Sequence, residues 1–142
     1  MAFSLLPQMS GTGYYAYSPM PRQYATEITI RTIADLCTQR RWNGVIHQVG
    51  IGDMSFVSGG PMPPHVSHTD GKCVDIRPLR KDGQNLPVTV SDPQYDRDAT
   101  RLLVSAFLAH KNVKKILFND PQILGVTPWP GHDNHLHVVM RN

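Results

Sequence analysis

The sequence predicts a small α+β domain, two helices packed on a mostly antiparallel sheet with long loops at one end. Two stretches carry apolar residues at helical spacing, and four short apolar runs alternate with period two or nearly so. Twelve prolines and eleven glycines add a loop-rich character that a helix bundle would not have. At 142 residues, with 40% apolar and 18% charged content, the chain fits one domain with a real core.

Residues 1–22 hold glycine, proline, serine and four tyrosine or phenylalanine rings, and read as an irregular arm over a domain spanning 23–142. Gly11-Thr-Gly13 is too short for a phosphate loop and follows no strand. From Ala25 to Arg41 the apolar residues Ile28, Ile30, Ile33, Leu36 and Cys37 predict a helix, which Asn43-Gly44 stops. Val45–Gly50 predicts a short strand, and the loop from Asp53 to Pro64 is restricted by three prolines and Gly59-Gly60. Cys73–Leu79 predicts a strand with Val74 and Ile76 on one face and Cys73, Asp75 and Arg77 on the other. Lys81–Pro93 reads as a polar turn region. A second helix follows from about Tyr95 to His110, opened by Asp96 and Asp98, with Leu102, Leu103, Ala106, Phe107 and Ala109 apolar. Val113–Phe118 and His135–Met140 are the last strands.

The net charge of +3 and pI near 9.0 make the surface mildly basic, compatible with anionic partners but selecting none. Arg40-Arg41 and Lys111 with Lys114-Lys115 read as a solvated helix end and strand start. A nucleic-acid binder would join basic and aromatic surface, whereas the aromatic arm has only Arg22 nearby. No run approaches the length of a membrane helix, and the N-terminus has neither the basic start nor the apolar stretch of a Sec signal. The spacing of Cys37 and Cys73 leaves a disulfide open.

The chemistry concentrates in two segments, HVSHTDGKCVDIRPL at 65–79 and WPGHDNHLHVV at 129–139, which hold five of the seven histidines. On a strand, His135 and His137 point to one face, with Leu136 and Val138 turned to the core. His68 ends a constrained loop and Asp75 lies on a strand, so the two segments can complement each other. One carboxylate with two imidazoles is a usual zinc set and leaves a fourth position to water. His65 and His132 belong to the same gathering. His47 reads as a strand residue without special role, and His110 as a helix C-terminal residue facing the macrodipole. The fold expectation is thus completed by long loops around a zinc site.

His68-x6-Asp75 followed by His135-x-His137 matches the signature of the lysostaphin, D-Ala-D-Ala carboxypeptidase and Sonic hedgehog zinc fold. RQYAT at 22–26, IGDMSFVSGGPMPPHVSHTDG at 51–71, VDIRPL at 74–79 and GHDNHLHVVM at 131–140 resemble, in order, the penicillin-insensitive murein endopeptidase (MepA-type) family. The resemblance implies zinc ligands His68, Asp75 and His137, with His135, His132 and His65 as non-ligand histidines lining the site. It implies hydrolysis of peptide cross-links between D-alanine and meso-diaminopimelate in peptidoglycan. The family commonly carries aspartate where this chain has Cys73. That thiol is then a small semi-buried group, a neighbour of the ligands or an extra soft ligand.

With that ligand set, His135 is assigned general base, and His132 and His65 hold the carbonyl oxygen or orient His135. The absent export signal fits delivery by a phage lysis programme or a secretion machine, with an immunity protein or a carrier as partners. Two other readings follow from the same residues. One is a D,D- or L,D-carboxypeptidase acting on stem peptides, the other a zinc-holding binding module without catalysis.

Overall fold

A computed structural model describes residues 3–8, 13–39 and 47–142. The chain forms β1 (Ser4–Leu5), β2 (Tyr14–Ala16), a 3-10 turn (Met20–Arg22), β3 (Tyr24–Ala25), α1 (Glu27–Gln39), β4 (Val49–Ile51), β5 (Cys73–Ile76), α2 (Arg97–Ala109), β6 (Val113–Leu117) and β7 (Leu136–Met140). The main sheet has five strands in the order β2-β4-β5-β7-β6, while β1 and β3 make a separate antiparallel pair. Within the main sheet β2 runs parallel to β4 and the other pairs are antiparallel. The fold is a small α+β domain, as the spacing of apolar residues predicts.

The irregular arm is corrected by the structure. Its described residues supply β1 and β2, and β2 is an edge strand of the main sheet, with Tyr14 opposite Val49 and buried. Runs of two or three residues are too short for a period-two signal, so these strands escape a reading of the sequence. Arg40-Arg41, the stop at Asn43-Gly44 and Val45-Ile46 of the Val45–Gly50 strand lie outside the described residues, and His47 and Gln48 are not in a strand. The remainder of that strand begins at Val49 and continues to Ile51.

The sheet divides the molecule through simple alternation. Val74 and Ile76 of β5, Leu136 and Val138 of β7 and Ile116 of β6 are fully buried in one hydrophobic cluster. That cluster also takes Ile33, Leu36 and Cys37 from α1 and Leu103, Val104 and Phe107 from α2. Removing the Phe107 ring would cost about 3–5 kcal/mol. Asp96 caps α2 by accepting from the Ala99 backbone N–H, and Ala99, Thr100, Leu103, Val104 and Phe107 form its buried stripe. Leu102 and Ala109, expected on the apolar face, fall outside that stripe and are exposed.

The opposite side of β5 and β7 presents Cys73, Asp75 and His137. Over it folds the loop between β4 and β5, tied down at both ends. Arg22 forks onto Asp53, Nε to Oδ1 at 3.0 Å and Nη2 to Oδ2 at 3.1 Å. At the far end the Thr26 N–H donates to the Gly71 carbonyl at 3.0 Å, and Met62 is fully buried in between. Across the sheet, Asp120 accepts from the Tyr95 hydroxyl at 2.6 Å and Arg97 Nε at 2.7 Å, joining the loop after β6 to the start of α2. Both cysteines are free and buried. No described helix is long and apolar enough to cross a membrane.

Candidate metal centre

Asp75 is the hub of the site. Its position on β5 is opposite His137 on β7, and pairing of the two strands fixes both Cα atoms. His137 Nδ1 lies 3.2 Å from Asp75 Oδ1, and His68 Nε2 lies 3.1 Å from the same oxygen. His135 Nε2 stands farther off, 3.8 Å from that oxygen, immediately before β7 begins. His65 stacks on His68 with ring centroids 4.3 Å apart. His132 lies 4.6 Å from the His135 ring and 5.7 Å from that of His137. All six expected site residues therefore meet in one place.

His47 and His110 lie elsewhere. His47 is buried with Nε2 2.8 Å from the Arg80 carbonyl, and His110 ends α2 with Nε2 3.4 Å from Asp35.

The donor chemistry suits a cation. His68 Nδ1 donates to the Met54 carbonyl at 2.8 Å, so in the neutral ring the lone pair is on Nε2, facing the Asp75 carboxylate. Two acceptors approach so closely only with a positive charge between them, either a proton or a metal ion. The electrostatics agree. Burial disfavours the Asp75 anion, but hydrogen bonds from His137 and His68 outweigh it and hold the carboxyl well below its usual range. Burial likewise disfavours the His68 cation, and the bond to Asp75 more than offsets it, raising the imidazole.

His65, His68 and Asp75 each offer a ligand atom, all within 4.8 Å of one another, and could hold a metal ion. His65, expected beside the ligands, is thus a candidate ligand itself. Its Nε2 donates to Asp53 Oδ2 at 2.8 Å, which leaves Nδ1 unprotonated in the neutral ring. Asp53 is a participant that sequence reasoning missed. Its carboxylate joins Arg22 to His65, both of which reach Oδ2, and its only sequence signal is a position at the start of the constrained loop.

His135 has a different environment. Its Nδ1 donates to Asn134 Oδ1 at 2.7 Å, leaving Nε2 as a free acceptor on the Asp75 side. Burial lowers its pKa; Asp75 opposes that shift, while His132, His137 and His65 reinforce it. His135 is thereby held neutral, the state a proton acceptor needs. His132 Nδ1 donates to the Pro130 carbonyl at 3.0 Å, which likewise leaves its Nε2 as the acceptor.

Cys73 sits opposite Val139, one step along β5 from the hub on the same face. Burial pushes its thiol up to about 12, so it is a neutral group. Among the described residues it does not join the metal-holding cluster. It lies in the lining of a cleft of about 580 Å³ that runs from His135 and His137 across β7 and β6. Trp129, Pro64, Lys114 and Lys115 are also among its lining residues. These lysines are a solvated strand start, as read from sequence, and their place in the cleft lining is a second feature the sequence did not disclose.

No family model matches the chain, and no curated protein matches it.

Proposed function

We propose that this protein is a zinc-dependent peptidoglycan endopeptidase hydrolysing D-alanine–meso-diaminopimelate cross-links in the bacterial cell wall. The observation carrying the proposal is the approach of His68 Nε2 and His137 Nδ1 to one oxygen of Asp75. A neutral, Asn134-anchored His135 stands beside them on the edge of an open cleft. The motif resemblance to the murein endopeptidases supplies the substrate. A zinc ion held by His68, Asp75 and His137 would supply Lewis acidity, acidifying water and polarising the scissile carbonyl.

The remaining steps belong to the chain. His135 Nε2 accepts the proton of the attacking water as the new C–O bond forms. It returns a proton to the leaving nitrogen as the C–N bond breaks, which yields a carboxylic acid and an amine. His132 and His65 orient the carbonyl oxygen or the base, and Asp53 fixes His65 from behind. The substrate partner is cross-linked peptidoglycan. Delivery by a secretion machine or a phage lysis programme, with a cognate immunity protein, fits the same reading.

The test is to incubate purified sacculi with the protein, with and without chelator, and identify products by mass. Loss of cross-linked dimers that chelator prevents is the expected result. Free D-alanine without reduced cross-linking would instead identify a carboxypeptidase. If metal-loaded protein gave no product, the binding-module reading would replace both.

A further inference from the structure

The sheet register puts Asp75, His137 and Leu117 in one row across β5, β7 and β6, and Cys73, Val139 and Lys115 in the next. Alternation would send Lys114 to the core side. Instead, β6 carries a register shift between Val113, opposite Met140, and Lys115, opposite Val139. The extra residue is a bulge, which re-aims a side chain. Both lysines consequently line the cleft, and both are exposed to solvent. Among the described residues neither joins an ion pair. Two consecutive cations without a carboxylate partner among the described residues, lining the same cleft as His135 and His137, form a site for an anion.

We infer that Lys114 and Lys115 bind a free α-carboxylate on the amino acid that leaves as the amine. This deepens the peptidase reading and rests on it. The dimensions agree. An α-carboxylate lies about 4 Å beyond the scissile carbonyl carbon, and a charge-assisted hydrogen bond adds about 3 Å, giving about 7 Å. One row of same-face residues along a strand advances about 6.5–7 Å. The row holding Lys115 is therefore at the right remove from the row holding Asp75 and His137. Leu117 of the first row and Val139 of the second both line the cleft and carry no charge. The leaving residue of a cross-link and the terminal residue of a stem peptide both carry this group.

Two peptides test the inference, identical except that the leaving residue ends in a free α-carboxylate or in its carboxamide. The zinc-loaded protein is expected to prefer the free acid by about tenfold in kcat/KM, expressed mainly in KM and shrinking as salt is added. In Lys114→Met/Lys115→Met the ratio falls to near one. Lys115→Arg keeps it, as does Lys111→Met, which removes a charge on the turn before β6. The same peptides, titrated into metal-free protein and followed through the backbone amide signals of Leu117 and Val139, should show the same lysine-dependent preference. Equal rates for both peptides, or a preference that survives the double substitution, would overturn the inference while leaving the peptidase standing. Lysine-dependent binding without cleavage would do the reverse.

Discussion

Asp75 and His137 face each other across the β5–β7 pair, their Oδ1 and Nδ1 atoms 3.2 Å apart. Both side chains rise from paired strands whose other face is packed in the core. Two of the expected ligands are thus held by paired strands backed by the core, while His68 and His65 reach them from a loop. This division shapes how substitutions should act.

Asp75→Ala should abolish stoichiometric zinc, since Asp75 belongs to both candidate donor sets, and His137→Ala should do so under the set that includes it. His65→Ala separates the two candidate donor sets. If His137 is the third ligand, His65→Ala keeps zinc but loses affinity by about 10–100-fold, the usual effect of a supporting group. If zinc is lost outright, His65 belongs to the coordination set. Asp53→Asn should reproduce the weaker effect, because it loosens His65 without removing it. Metal analysis of the purified variants, alongside competitive chelator titration, reads each outcome.

His135→Ala should leave bound zinc unchanged and lower kcat by about 10²–10⁴-fold, the range for a positioned general base. The pH profile gives an independent reading. Burial lowers the pKa of His135 from its ordinary 6.5, and protonation inactivates the base. Activity should therefore rise with pH through an acidic limb lying below 6.5. A limb at or above that value would assign the titration to another group.

Much of this site was legible in the sequence because its geometry follows from strand alternation. An HxH entering a strand and an Asp flanked by Val74 and Ile76 leave little choice about which side faces the core. The tautomers were not legible. That His68 presents Nε2 and His135 keeps Nε2 free depends on the Met54 carbonyl and the Asn134 amide, contacts no spacing predicts. The N-terminal strands were hidden because their pairing is the signal, and Tyr14 looks the same in an arm as against Val49. That Lys114 and Lys115 share one face was hidden for a related reason, although both are exposed at the start of β6 as read. A bulge reverses the side to which alternation would send a residue, and it is defined by the register with β7.

Asp120 should govern acid stability away from the site. Burial disfavours its charge, but bonds from Tyr95 and Arg97 prevail and depress its pKa in the folded state. A depressed carboxyl contributes stability that is present above the unfolded value of about 3.9 and lost as pH falls through the folded one. Asp120→Ala leaves the buried Tyr95 hydroxyl without this acceptor and should cost about 2 kcal/mol at neutral pH. The gap in Tm between variant and wild type should close as the pH is lowered below 4, and a gap independent of pH would show that packing alone is at stake.

Gly71 tests whether the loop ligand depends on α1. The residue has φ +71°, and an added Cβ would stand 2.9 Å from the Thr26 nitrogen and 3.2 Å from Ala25 Cα, both backbone atoms that cannot swing away. Its carbonyl meanwhile accepts from the Thr26 N–H at 3.0 Å and from the Thr29 hydroxyl at 2.9 Å, docking the loop on the first turn of α1. Gly71→Ala must push this contact apart or distort the loop, at a cost of about 1–3 kcal/mol. The displacement falls three residues after His68 and four before Asp75, so zinc affinity should drop together with stability. Thr29→Val removes one of the two bonds without steric intrusion and should lower stability by about 1 kcal/mol with zinc affinity nearly intact. Equal zinc loss in both variants would mean that the helix contact, and not the backbone path at Gly71, positions His68.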